Sequence, residues 1–137
     1  MTSLKDVRVL FADDELYSMR PTIDALEVRG AVVDVCKDGT EVLEYLRQHV
    51  HTMPQLVILD LMMAEGAEIR TPDEGRSTGV EVYRRLRREI DARLPIVVST
   101  VVTDDSMLGS FQNDRKVTIV RKPYQFDELL RAIDRVC

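Results

Sequence analysis

The chain has 137 residues, of which 45% are hydrophobic and 31% charged, and its formal net charge is −5 at pH 7. This balance is typical of a soluble globular chain with one domain, residues 1–137, and no apolar run approaches the roughly 20 residues that cross a bilayer. The acidity argues against direct binding of nucleic acid, and the two cysteines without a signal-peptide pattern favour a cytoplasmic protein.

Apolar runs of strand length alternate along the chain with segments of helical periodicity. The first run, residues 7–12, precedes an amphipathic segment in which Pro21 is tolerated if the helix begins near Ser18. Further strands are expected at residues 31–36, 56–60, 95–100 and 117–121, and further helices at residues 37–50, 79–92 and 125–137. Gly109 and Ser110 weaken the helix expected within residues 101–113, so we predict that it is short or mobile.

A strand–helix alternation repeated five times is the pattern of a parallel sheet with helices on both faces. We therefore predict an α/β fold with a doubly wound, five-stranded parallel sheet and five helices. Ligands of such sheets bind outside the carboxyl ends of the strands. The residues that end the predicted strands are thus the candidates for a functional site.

Polar side chains stand at four of these strand ends. Asp13 and Asp14 follow the first strand, Asp60 ends the third, Thr100 ends the fourth, and Lys122 follows the fifth. Carboxylates that meet at one edge repel each other, so a cation must offset them, and a group of oxygen ligands suits Mg²⁺. Each residue alone has an ordinary structural explanation, such as acidic residues favouring a helix N-terminus. Their common position at one edge of the sheet predicts a shared site in which Lys122 reaches Asp60.

Five segments resemble, in order, the receiver domain of two-component response regulators: VLFADDE, KDGTEVLEYL, LVILDLMM, LPIVVST and VRKPYQFDELL. The resemblance covers essentially the whole chain. It implies a flavodoxin-like sheet with the strand order 2-1-3-4-5. It also implies that Asp60 accepts a phosphoryl group, and that Mg²⁺ is held by Asp13, Asp14, Asp60 and the backbone carbonyl of Met62.

The same resemblance implies roles for two further side chains and a set of partners. Thr100 would hydrogen-bond one phosphoryl oxygen, Lys122 would pair with another, and the Lys122–Pro123 peptide bond would be cis. The phosphoryl group would come from a histidine kinase or a histidine phosphotransfer protein, and a downstream protein would bind the face of helix 4, strand 5 and helix 5. The protein would then be a phosphorelay receiver that switches partners, with self-catalysed phosphoryl transfer and weak autodephosphorylation, and not an enzyme in the usual sense.

Two features depart from the family pattern. Residues 64–78 form an insertion after the phosphoacceptor strand, with Ala64 in place of the usual proline. The insertion has two possible explanations: a functional element that acts as a lid or selects partners, and a loop that is merely tolerated. Ile119 occupies the position where the family has an aromatic switch residue. In addition, Met62 and Val102 would flank the path of a water that attacks the phosphoryl group, and neither apolar side chain can orient that water. This predicts slow loss of the phosphoryl group, unless Glu65 or Glu68 of the insertion extends to the site.

The main alternative is a degenerate receiver that acts as an interaction module without phosphorylation. A phosphatase with an aspartate nucleophile is disfavoured, because that chemistry commonly needs a second aspartate two residues after the first, where this chain has Met62. His49 and His51 have no nearby third ligand and make a poor metal site. The end of the sequence at Cys137, directly after the last predicted helix, fits either a stand-alone receiver or part of a longer regulator.

Overall fold

The computed structural model of the protein describes residues 3–102 and 104–137. Its parallel sheet has the strand order β2-β1-β3-β4-β5, which confirms the flavodoxin-like topology. The strands are β1 (Arg8–Ala12), β2 (Val32–Cys36), β3 (Leu56–Leu59), β4 (Ile96–Thr100) and β5 (Val117–Arg121). The helices are α1 (Leu16–Val28), α2 (Gly39–Gln48), α3 (Thr78–Arg85), α4 (Asp105–Leu108) and α5 (Phe126–Val136).

The sheet is covered by helices on both faces, which explains why its central strand is apolar at every position. In β3, Val57 and Leu59 pack into one core with residues of α2 and α3, whereas Leu56 and Ile58 pack into a second core with residues of α1 and α5. Side chains of a strand alternate between the two faces, so a strand buried on both sides needs a continuous apolar run. No helix of residues 3–102 and 104–137 is long and apolar enough to span a membrane.

Helix α1 begins earlier than predicted, and the prediction of a start near Ser18 was wrong. The helix begins at Leu16, because Asp13 Oδ1 accepts the N–H of Glu15 at 2.8 Å and the carbonyl of Glu15 accepts the N–H of Met19 at 3.2 Å. Pro21 therefore lies inside the helix, where it cannot donate to the carbonyl four residues before it. Pro21 is exposed, so water can satisfy that carbonyl at modest cost.

Helices α3 and α4 each pass into an irregular helical turn, and the sequence predicted only the shortness of α4. Helix α3 continues into a π-helical turn, Leu86–Ile90, which the sequence did not predict. Helix α4 has four residues and passes into a 3-10 turn, Gly109–Phe111, in agreement with the expectation of a short fourth helix. Asp104 caps α4 by accepting the N–H groups of Ser106 and Met107.

The segment between β3 and α3 is held against the beginning of α2. The N–H of Gly39 donates to the carbonyl of Ala64, and the N–H and hydroxyl of Thr40 both donate to the carbonyl of Glu65. The Thr40 hydroxyl oxygen in turn accepts the N–H of Glu68 at 2.8 Å, and Ile69 is fully buried. These contacts hold the first part of the segment, residues 64–69, against the beginning of α2.

Candidate functional site

Two carboxylates from neighbouring strands share one lysine at the carboxyl edge of the sheet. Asp13 follows β1 and Asp60 follows β3, and both are buried, at 1% and 6% exposure. The ammonium nitrogen of Lys122, directly after β5, lies 2.6 Å from Asp13 Oδ2 and 3.1 Å from Asp60 Oδ2. Parallel strands bring their ends to one edge of the sheet, so residues far apart in the chain meet here.

The environment of this group shifts the pKa of both Asp60 and Lys122 upward. For Asp60, burial and the charge of Asp13 raise the pKa, and the nearby charge of Lys122 only partly opposes them. For Lys122, burial alone would lower the pKa, but its hydrogen bond to Asp13 and the charges of both carboxylates outweigh that effect. Lys122 is therefore firmly charged and offsets the repulsion between the two acids.

Asp14 and Met62 take part in hydrogen bonds that fix the loops around Asp60. Asp14 is exposed, and its Oδ2 accepts the backbone N–H of Ala64 at 3.0 Å. Asp60 Oδ1 accepts the N–H of Met62 at 3.1 Å. A proline at position 64 would have no N–H to donate, so the departure from the family pattern at Ala64 directly affects Asp14.

The end of β4 presents two hydroxyl groups to different surroundings. Thr100 is fully buried, and its hydroxyl oxygen accepts the N–H of Val102 at 3.1 Å, which leaves its proton free to donate. Ser99 lies 3.4 Å from the phenol oxygen of Tyr124, a contact that the sequence did not predict. Burial raises the pKa of Tyr124, so this phenol stays neutral. The Lys122–Pro123 peptide bond is cis.

The oxygen donors near Lys122 fit a hard divalent cation. Within residues 3–102 and 104–137, no three Asp, Glu, His or Cys side chains stand together as a metal site. Mg²⁺ needs only one or two carboxylates, since it keeps several waters. Asp13 and Asp60, both in contact with the same lysine nitrogen, supply such a pair. The ligand roles of Asp13, Asp14, Asp60 and the Met62 carbonyl all stay predictions.

Gly79 is a further residue on which the site depends. It lies in the first turn of α3, and a Cβ atom there would collide with the carbonyl oxygen of Asp60 and come within 2.6 Å of Leu61 Cα. The N–H of Gly79 also donates to the carbonyl of Leu61 at 2.9 Å. Glycine is a poor helix former, so its presence at the start of a predicted helix was the available signal.

The two acids of the insertion have their own partners within the chain. Glu65 Oε2 accepts the N–H and the hydroxyl of Thr71 at 2.7 and 2.6 Å. Glu68 forms two hydrogen bonds with Arg47, at 2.8 and 2.9 Å, and pairs with Arg85 at 3.0 Å. Neither acid is thus oriented by these contacts toward a water near the strand ends.

Comparison with known proteins agrees with this architecture. The family model described as the response regulator receiver domain matches residues 9–134. The chemotaxis protein CheY of Bacillus subtilis (strain 168) is 28% identical over 130 residues, which cover 93% of this chain and 95% of that protein. The probable methanogenesis regulatory protein FilR2 of Methanothrix harundinacea (strain 6Ac) is 29% identical over 108 residues, which cover 76% of this chain and 63% of FilR2. The chain therefore spans less than two thirds of the length of FilR2.

Solved structures show the same fold. The response regulator receiver protein from Sinorhizobium medicae WSM419 is 25% identical, with a TM-score of 0.74 over 98% of this chain and 96% of that one. The chemotaxis response regulator CheY4 of Vibrio cholerae is 20% identical, with a TM-score of 0.74 over 97% of this chain and 100% of that one. Since the family model matches nearly the whole chain, the protein belongs to the response regulator receiver domain family of two-component signalling.

Proposed function

We propose that this receiver domain accepts a phosphoryl group on Asp60 in a Mg²⁺-dependent reaction. The observation that supports the proposal is the position of the Lys122 ammonium between Asp13 and Asp60. A carboxylate oxygen of Asp60 would form the bond to phosphorus while the bond from phosphorus to the donor breaks, and the donor atom would keep the electron pair. An exposed aspartate of ordinary structural role would not need such a partner.

The residues around Asp60 would each offset charge or hold a reacting group. Lys122 would pair with one oxygen of the incoming phosphoryl group, and the Thr100 hydroxyl would donate a hydrogen bond to another. Asp13, Asp14, Asp60 and the Met62 carbonyl would hold Mg²⁺, and the bound ion would supply positive charge to the phosphoryl oxygens. The amide of Met62, which donates to Asp60 Oδ1, would keep the carboxylate in position.

We further propose two kinds of protein partner for this domain. The phosphoryl donor would be a histidine kinase or a histidine phosphotransfer protein, and the phosphorylated domain would bind a downstream protein through α4, β5 and α5. Both Cys36 and Cys137 are free thiols, which fits a reducing compartment such as the cytoplasm. The domain would act as a switch with weak autodephosphorylation, and residues 1–137 would form one domain.

Intact mass spectrometry tests the proposal. We expect the wild type, incubated with a small acyl phosphate and Mg²⁺, to gain the mass of one phosphoryl group, and we expect Asp60→Asn to gain none. Asp24→Asn is a matched control, because Asp24 is an exposed helix residue that pairs with Arg20 and should not affect uptake. No uptake by the wild type, or equal uptake by Asp60→Asn, would refute the proposal.

A further inference from the structure

The first residue of the insertion contacts one of the predicted Mg²⁺ ligands through its backbone. The N–H of Ala64 donates to Asp14 Oδ2 at 3.0 Å. Two residues earlier in the same loop, the N–H of Met62 donates to Asp60 Oδ1 at 3.1 Å. The loop after β3 thus holds two carboxylates that come from separate strand ends.

Asp14 depends on such a contact more than the other two acids do. Asp13 and Asp60 are buried, and both contact the ammonium group of Lys122. Asp14 is exposed, and in the part of the chain that the structure describes it has no other hydrogen bond and no salt bridge. An exposed side chain with few contacts has several rotamers available, and fixing one of them costs conformational entropy when a ligand binds. The N–H of Ala64 removes part of this cost before the ligand arrives.

The donor is itself held in place from the other side. The carbonyl of Ala64 accepts the N–H of Gly39, the first residue of α2, at 2.9 Å. The carbonyl of Glu65 accepts both the N–H and the hydroxyl of Thr40, at 3.1 and 2.9 Å. Gly66 follows with a φ of 77°, and a Cβ atom there would lie 2.6 Å from Thr40 Oγ1, so glycine permits this close approach. Ala64 is therefore attached to the beginning of α2.

The hydrogen bond to Asp14 exists because this chain departs from the family pattern at position 64. Proline, the usual residue there, has no N–H to donate. The side chain of Ala64 is exposed. The contribution of this position to the site thus comes from the backbone donor and not from the methyl group.

We propose that Ala64 is a positioning residue for Mg²⁺: its N–H orients the Asp14 carboxylate for the ion, and the insertion thereby sets the metal affinity of the site. A carboxylate has several lone pairs, so Asp14 can accept this N–H and still offer an oxygen to the ion. Removal of a group that hydrogen-bonds to a metal ligand typically weakens metal binding by about 10- to 100-fold. This inference rests on the proposed function, since it concerns the ion that Asp14 is proposed to hold.

A Mg²⁺ titration followed by the amide resonances of the isotope-labelled protein tests the inference. Ala64→Pro removes the N–H, whereas Ala64→Val keeps it and adds a side chain of similar size to that of proline. We expect the dissociation constant for Mg²⁺ to rise about tenfold in Ala64→Pro, the lower end of the range because Asp14 is exposed. In Ala64→Val the dissociation constant should be that of the wild type.

Asp14→Ala separates an effect through Asp14 from a general disturbance of the insertion. In this background the N–H of Ala64 has no carboxylate to orient, while Asp13 and Asp60 still contact Lys122. Adding Ala64→Pro to Asp14→Ala should therefore cause no further rise in the dissociation constant, although Ala64→Pro alone does.

Three results would overturn the inference: a dissociation constant that is unchanged or lower in Ala64→Pro, an equal rise in Ala64→Val, or an equal rise in the Asp14→Ala background. Each of these leaves the proposed function intact, because phosphoryl uptake by the wild type and by Asp60→Asn tests that function separately. A wild type that binds no Mg²⁺ would contradict the Mg²⁺ dependence of the proposed function, and this inference with it.

Discussion

Replacement of Gly79 by alanine tests how closely α3 supports the loop that carries Asp60. The added Cβ would collide with the carbonyl oxygen of Asp60 and would lie 2.6 Å from Leu61 Cα, whereas ordinary contacts begin at 3.4 Å. Both atoms belong to the backbone and cannot rotate away. The helix or the loop after β3 must therefore move by about 1 Å, and Asp60 moves with that loop.

The size of the effect follows from this displacement. Overpacking of a filled core typically costs about 1–3 kcal/mol, so we expect the free energy of unfolding of Gly79→Ala to fall by about that amount. A displacement of about 1 Å at a reacting group can slow a reaction about 100-fold. We therefore expect the rate of phosphoryl uptake from a small acyl phosphate to fall by about 10- to 100-fold.

Gly109→Ala is the matched control for this experiment. Gly109 has a φ of −62°, which any residue adopts, and a Cβ there would meet no atom within 4 Å. We expect unchanged uptake and a free energy of unfolding equal to that of the wild type or higher by about 0.5–1 kcal/mol. Urea unfolding and time-resolved intact mass give both quantities. If Gly79→Ala takes up phosphoryl groups and unfolds like the wild type, the close contact between α3 and Asp60 does not constrain the site.

Three further predictions concern Asp60, its neighbour and the cysteines. Burial raises the pKa of Asp60 above its ordinary value of 3.8, so ionisation of Asp60 lowers the stability of the folded protein as the pH rises above 3.8. In EDTA, Asp60→Asn should therefore be more stable than the wild type at neutral pH and should lose this advantage below pH 3.8. A variant less stable than the wild type at neutral pH would contradict this prediction. Met62→Gln should shorten the lifetime of the phosphorylated form, measured by loss of the phosphoryl mass, because its amide can orient a water that methionine cannot; a longer lifetime would be the wrong outcome. Burial raises the pKa of Cys36 to about 12, so only the exposed Cys137 should react with a thiol-specific disulfide reagent in the folded protein, and reaction of two thiols before denaturation would show that Cys36 is accessible.

Patterns local in the sequence determined most of the secondary structure. Apolar runs located all five strands. The run is continuous in β3, which is covered on both faces, whereas Asp34 interrupts it in the partly exposed β2 and Thr118 interrupts it in β5. The periodicity of the last segment located α5, whose inward positions Leu129, Ile133 and Val136 are buried as the spacing predicts. Gly109 and Ser110 likewise indicated the short fourth helix, since both disfavour helix continuation.

Contacts between distant residues were decided only by the tertiary structure. Lys122 and Asp13 are 109 residues apart, and their 2.6 Å contact exists because β1 and β5 end at the same edge of the sheet. The hydrogen bonds of Thr40 with Glu65 and Glu68 also join segments that no local pattern relates. A sequence specifies which groups are available, but their distances depend on how the sheet and helices pack, and for that reason the geometry of the site required the fold.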